Sequence, residues 1–101
     1  MKWFKAALVS DLASGEGKTV EPVPGRPIAL FNNHGTFQAI DNVCPHRGGF
    51  LSEGRLKENC VIWPLHQWTF DLKTGENIRN PQVKLRVYPV RVRGEDVWIE
   101  L

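Results

Sequence analysis

The chain has 101 residues, a formal net charge of +2, 42% hydrophobic residues and 24% charged residues. This composition fits one folded domain, residues 1–101, and excludes a disordered chain. No apolar run approaches the ~20 residues of a membrane-spanning helix, and the first residues lack the apolar core of a signal peptide. We therefore expect a cytoplasmic protein with no membrane partner. Because lysines and arginines are scattered along the chain, we also expect no nucleic-acid partner.

Short strands separated by turns are predicted along the whole chain. Apolar and alternating runs predict strands at residues 3–9, 18–23, 27–31, 36–40, 59–63, 69–71, 84–88, 90–92 and 97–101. Residues 32–35 predict a hairpin turn with Gly35 at positive φ and His34 as a solvated loop residue. This pattern favours an all-β fold, a small antiparallel β sandwich or barrel.

Arginines cluster near the end of the chain, at Arg86, Arg91 and Arg93. We interpret them as an exposed strand face. The alternative is a docking patch for an acidic redox partner.

Two motifs in the middle of the chain contain Cys44 and two of the three histidines, and the other cysteine, Cys60, lies three residues before the second motif. The first reads Cys44-Pro-His46-Arg47-Gly48-Gly49, and the second reads Trp63-Pro64-Leu-His66-Gln-Trp68-Thr-Phe70. Cysteine and histidine are common ligands of iron and zinc. Proline and glycine fix loops that present such side chains, so the sequence predicts a metal centre built on two loops.

These motifs resemble those of the Rieske [2Fe–2S] domain family, and the resemblance extends over nearly the whole chain. That family has Cys-x-His in one loop and Cys-x-x-His in a second loop, which bind one iron through two thiolates and the other through two imidazoles. The resemblance implies a cluster-binding tip at about residues 42–70, with the metal ligands Cys44, His46 and His66. Around the cofactor it implies Arg47, Gly48, Gly49, Pro64, Trp68 and Pro81.

One position departs from the family pattern. The second cysteine of the family stands three residues before the histidine, where this chain has Trp63. An indole N–H only donates and cannot ligate iron. Cys60 is a poor substitute, because it lies about 10 Å along a strand from residue 63 and faces the opposite way. We expect Cys60 to be a small buried apolar side chain; a Cys44–Cys60 disulfide is the alternative that the cysteine count allows.

Trp63 leaves two structural expectations open. In the first, Trp63 packs with Trp68 and Phe50 as an aromatic cluster that closes the tip. In the second, Cys44, His46 and His66 form a three-ligand pocket for zinc or a mononuclear iron.

The resemblance implies a one-electron carrier that does not catalyse a reaction alone, and no nucleophile–base or carboxylate pair stands out beside the site. Two kinds of small Rieske protein fit: the ferredoxin component of a ring-hydroxylating dioxygenase system, and the small subunit of NADH-dependent nitrite reductase. The implied partners are a reductase and either an oxygenase or a nitrite reductase large subunit. The alternative, which Trp63 supports, is a Rieske scaffold without a cluster that acts as a structural or regulatory interaction subunit.

Overall fold

The computed structural model describes residues 2–43, 49–63 and 68–101 of the chain. In these ranges the fold is all-β, with antiparallel strands and two single-turn 3₁₀ helices, Val9–Asp11 and Leu51–Glu53. This confirms the fold class expected from the sequence. No helix in the described ranges is long and apolar enough to cross a membrane.

Ten strands are present in the described part of the chain. In chain order they are β1 Trp3–Leu8, β2 Gly17–Val20, β3 Ile28–Asn33, β4 Thr36–Asp41, β5 Arg55–Lys57, β6 Cys60–Ile62, β7 Thr69–Asp71, β8 Val87–Tyr88, β9 Val90–Arg93 and β10 Asp96–Glu100. They form three sheets with the orders β1-β10-β9, β2-β3-β4-β8 and β5-β6-β7.

The hairpin of β3 and β4 matches its prediction. Its turn places His34 at φ 54° and Gly35 at φ 95°. His34 is exposed, and its Nδ1 lies 3.2 Å from the hydroxyl of Ser14. The local signals of the turn are therefore sufficient to define this part of the fold.

Two predicted strands differ from their predicted bounds by three residues at one end, and one strand was not predicted. β2 ends at Val20, two residues before Pro22, which lacks the N–H that a ladder needs. β8 is reduced to Val87–Tyr88. β5 was missed because its turn into β6 places Glu58, a residue without a turn signature, at φ 57°.

Strand β3 is buried on both faces and separates two hydrophobic clusters. Ile28 and Leu30 contribute to the cluster under the β1-β10-β9 sheet. Ala29 and Phe31 contribute to the cluster that also contains Trp63 of the second motif. Since successive side chains of a strand alternate faces, β3 links the core of the protein to the tip.

Asn42, which is fully buried, anchors the chain directly before the first motif. Its side-chain amide donates to the Thr19 hydroxyl over 2.9 Å, and its side-chain oxygen accepts from the Ser52 N–H over 2.9 Å. Its backbone oxygen accepts from the Leu51 N–H over 2.7 Å. Both ends of residues 43–50 are thus fixed to one buried side chain.

Replacing Asn42 will destabilise the protein, because Asn42→Ala leaves the part-buried Ser52 N–H without its acceptor and removes a fully buried side chain from the core. We expect Asn42→Ala to lower the free energy of unfolding by about 2 kcal/mol. Urea denaturation followed by tryptophan fluorescence measures this change. Gln82→Ala, at an exposed position, is the control; equal stability of the two variants would contradict the anchoring role.

Candidate metal centre

The two motifs are each closed at their base by backbone contacts. Val43 pairs with Phe50 in an isolated antiparallel bridge. The Trp63 N–H donates to the Trp68 oxygen over 2.7 Å, which continues the pairing of β6 with β7. The described structure therefore fixes the points at which both motif segments begin and end.

The predicted ligands lie between these closures and outside the described residues. This holds for Cys44, His46 and His66, and for the predicted cofactor-binding residues Arg47, Gly48 and Pro64. Their roles stay predictions. The described residues that were assigned to the site are Gly49, Trp63, Trp68, Pro81 and Cys60.

The Trp63 side chain is part of the hydrophobic core. It is only 3% exposed and belongs to the cluster that contains Val61, Phe70 and Leu72. Like Val61, it faces inward, as the alternation of side chains along a strand requires. The position that carries a thiolate in the family is therefore filled by a buried indole.

Gly49 packs directly against this indole. A Cβ built on Gly49 would overlap the Trp63 ring, which leaves room for glycine alone. The contact joins the end of the first motif to the start of the second. The sequence assigned Gly49 to the cofactor; in the described structure its neighbour is Trp63.

The predicted aromatic cluster of Trp63, Trp68 and Phe50 is wrong for Phe50, which is 46% exposed. Phe50 directly precedes the 3₁₀ helix Leu51–Glu53, and Leu51, the first residue of that helix, takes the buried position in the core cluster. Trp68 is half-buried against the core cluster, and its ring centroid lies 6.2 Å from that of Phe70.

Pro81 is exposed in the segment that follows Asn77. The side-chain oxygen of Asn77 accepts from the N–H groups of Arg79 and Asn80 over 2.9 and 3.0 Å, and thereby shapes this segment. Asn77 itself bridges to Phe70 in β7. Pro81 is thus carried on a structured turn, while its predicted role beside the cofactor stays a prediction.

Cys60 faces away from Trp63. It lies in β6 opposite Asp71, on the side of the strand that it shares with Ile62, whereas Val61 and Trp63 face the core. The side chain is half-buried, so the expectation of a buried apolar residue holds only in part. Cys60 is a free cysteine, which argues against the disulfide alternative.

The surroundings of Cys60 also disfavour a thiolate. Burial and the negative charges of Asp71 and Glu58 raise the pKa of the Cys60 thiol. Because the thiolate is the form that ligates metals, both orientation and charge make Cys60 a poor fourth ligand.

Comparison with known proteins agrees with the motifs. The model of the Rieske [2Fe–2S] domain matches residues 2–89. The chain is 36% identical to the ferredoxin component of the naphthalene 1,2-dioxygenase system from Pseudomonas putida, covering 100% of this chain and 97% of the relative. It is 40% identical to the 3-phenylpropionate/cinnamic acid dioxygenase ferredoxin subunit from Escherichia coli K12, covering 100% and 95%.

Solved structures show the same fold. An NADH-dependent nitrite reductase small subunit from Mycobacterium tuberculosis superposes with a TM-score of 0.89 at 28% identity, covering 97% of this chain and 93% of that one. The Sphingomonas yanoikuyae B1 ferredoxin superposes with a TM-score of 0.87 at 26% identity, covering 99% of both chains.

The Rieske family implies a [2Fe–2S] cluster, and this chain fits that group at three ligand positions and not at the fourth. The predicted ligands Cys44, His46 and His66 would supply one thiolate and two imidazoles, whereas the cluster takes two of each. The fourth position holds the buried indole of Trp63. A cluster held by this chain therefore lacks one protein ligand, and we expect it to be bound weakly.

Restoring the missing thiolate tests this disagreement. We expect Trp63→Cys to bind about two irons and two acid-labile sulfides per chain after anaerobic reconstitution, because it completes the donor set. Trp63→Ser removes the same indole without adding a thiolate, and is the matched control. Iron and sulfide assays on both variants and the wild type give the result.

Loss of the indole creates a cavity in both variants, which lowers stability by about 3–5 kcal/mol. Reconstitution will therefore raise the melting temperature of Trp63→Cys more than that of Trp63→Ser, which keeps only the three predicted ligands of the wild type. Equal metal content in the two variants would show that residue 63 is not the missing ligand position.

The contact between Gly49 and Trp63 has its own test. We expect Gly49→Ala to lower the free energy of unfolding by about 1–3 kcal/mol, because the added methyl group overlaps the indole. In a Trp63→Ser background the methyl group has room, so the cost of Gly49→Ala will fall. A double-mutant cycle by urea denaturation measures the coupling, and additive effects would contradict the contact.

Proposed function

Because this chain belongs to the Rieske [2Fe–2S] domain family, we propose that it is the electron-transfer component of a ferredoxin-dependent redox system. It takes electrons from a reductase and passes them to an oxygenase or to the large subunit of a nitrite reductase. The full-length match to dioxygenase ferredoxin components is the observation that carries the proposal. We treat residues 1–101 as one domain and place the protein in the cytoplasm.

In this function the described part of the chain would act as the scaffold that carries the two motif segments. A bound [2Fe–2S] cluster would supply one-electron redox chemistry. The protein contributes a rigid base on which the two motif segments begin and end. Asn42 fixes the first segment, and the Trp63–Trp68 backbone bond fixes the second. These contacts fix the points at which the segments with the predicted ligands begin and end.

The alternative is a Rieske scaffold that binds no cluster and serves as an interaction subunit. The buried Trp63 side chain is the one observation in its favour. The comparisons do not favour it, since the relatives reported above are ferredoxin components or ferredoxin subunits. A mononuclear metal at Cys44, His46 and His66 stays a prediction, because those residues lie outside the described ranges.

Electron transfer through the purified protein tests the proposal. We expect the wild type to accelerate the reduction of cytochrome c by NADH in the presence of a flavoprotein ferredoxin reductase. His66→Ala will abolish the acceleration, because it removes a predicted ligand. Lys73→Ala, an exposed change after β7, will retain it. A rate that does not depend on His66 would contradict the proposed role.

Copurification separates the two kinds of redox system. A tagged chain that elutes alone indicates a diffusing ferredoxin, whereas one that elutes with a large stoichiometric partner indicates a nitrite reductase subunit. An iron-free chain that elutes with a stoichiometric partner would support the scaffold alternative.

A further inference from the structure

A groove of about 500 Å³ lies beside the second motif. One side is the β5-β6-β7 sheet, and the other is the segment at residues 77–80. We call it the basic groove and define it by the six lining residues that the argument uses: Arg55, Lys57, Ile62, Trp68, Ile78 and Arg79. None of these residues is a predicted ligand of the cluster, and only Trp68 is among the residues predicted to lie around the cofactor.

The basic groove carries three cations that form no ion pair with the described residues. Arg55, Lys57 and Arg79 are exposed, and no Asp or Glu is among the described residues that line the groove. Arg55 and Lys57 are two residues apart in β5, so both project from the same face. Lys5 behaves differently, since it pairs with Asp96 over 3.2 Å. The groove therefore attracts negative charge.

Between the cations the groove is apolar. Ile62 lies directly opposite Arg55 in the β5–β6 pairing, and Trp68 is half-buried next to it. Ile78 is 56% exposed although its N–H donates to the Thr69 oxygen over 3.0 Å. Ile62, Trp68 and Ile78 line one groove together and form its apolar part beside the three cations.

The position of the groove relates it to electron transfer. Ile62 directly precedes the second motif and Trp68 belongs to it, two residues along the chain from His66. A protein bound in the groove therefore lies close to a predicted cluster ligand. This proximity favours a redox partner as the occupant.

The arginines at the end of the chain are less suited to this task. Arg91 stacks on the Trp3 ring at 4.5 Å, and Arg86 stacks on the Tyr88 ring at 5.4 Å. These side chains are held by aromatic rings, whereas the cations of the basic groove have no such contact in the described structure. The docking patch considered for the arginine cluster is therefore better assigned to the groove.

We propose that the basic groove binds an acidic segment of the redox partner. A hydrophobic side chain of that segment packs between Ile62, Trp68 and Ile78. Its carboxylates pair with Arg55, Lys57 and Arg79. The proposal rests on the electron-transfer function and names the chemistry of the surface that the partner must present.

A peptide titration tests the groove without any electron-transfer step. The probe is acetyl-Glu-Asp-Leu-Glu-Asp-amide, added to ¹⁵N-labelled wild-type protein in low salt. We expect saturable shifts of the amides at residues 55–57, 68–69 and 77–80, and loss of binding in 500 mM NaCl because salt screens the charges. A peptide with serine in place of leucine will bind several-fold more weakly.

Matched variants identify the residues responsible. Arg79→Glu will weaken peptide binding about fivefold, the effect of about 1 kcal/mol expected for an exposed ion pair. Lys73→Glu makes the same charge change on the turn after β7, outside the groove, and will leave binding nearly unchanged. Ile78→Ser will weaken binding with no change in charge, which tests the apolar floor.

Three results would overturn the proposal. These are an absence of saturable shifts, shifts centred on Arg91 and Arg93, and equal effects of Arg79→Glu and Lys73→Glu. Because peptide binding requires no iron, such a failure leaves the electron-transfer function in place. Conversely, peptide binding by a protein that fails to reduce cytochrome c would keep the groove and remove the proposed function.

Discussion

The contact between the Trp63 indole and the backbone of Gly49 connects the two motif segments. Trp63 packs into the same hydrophobic cluster as Phe31 of the fully buried strand β3. Gly49 lies against its ring, so the first segment ends on the side chain that opens the second. One aromatic ring thus joins the core of the sheet to both predicted ligand segments. The same ring stands where the family has a thiolate, and packing and metal binding therefore compete at residue 63.

Most of the fold was predictable because its signals are local. The hairpin at residues 32–35 follows from Gly35 and its neighbours, and short alternating runs define most strands. β5 was not predictable, since its turn uses Glu58 at positive φ without a glycine to mark it. The ends of β2 and β8 depend on Pro22 and on tertiary pairing, which a propensity pattern resolves poorly.

The site was predictable in its chemistry and less so in its packing. The spacing of Cys44, His46 and His66 identifies the family, and the comparisons agree with it. The exposure of Phe50 follows from Leu51 occupying the core, which is a consequence of tertiary packing. The basic groove was not predictable, because it combines residues more than 20 positions apart, such as Arg55 and Ile78. A short local sequence pattern does not bring these residues together.

The structure thus describes a Rieske scaffold with a firmly held base and a buried indole at residue 63, whereas the three ligands are predicted from the sequence. Our central claim is that the wild-type chain still carries a redox-active cluster, held weakly. The most direct measurement is an anaerobic ultraviolet–visible spectrum before and after dithionite, with iron and acid-labile sulfide assays on the same sample. We predict iron and sulfide in equal amounts, below two of each per chain, with absorbance that bleaches on reduction. A colourless protein without iron or sulfide would contradict the claim and establish the scaffold alternative.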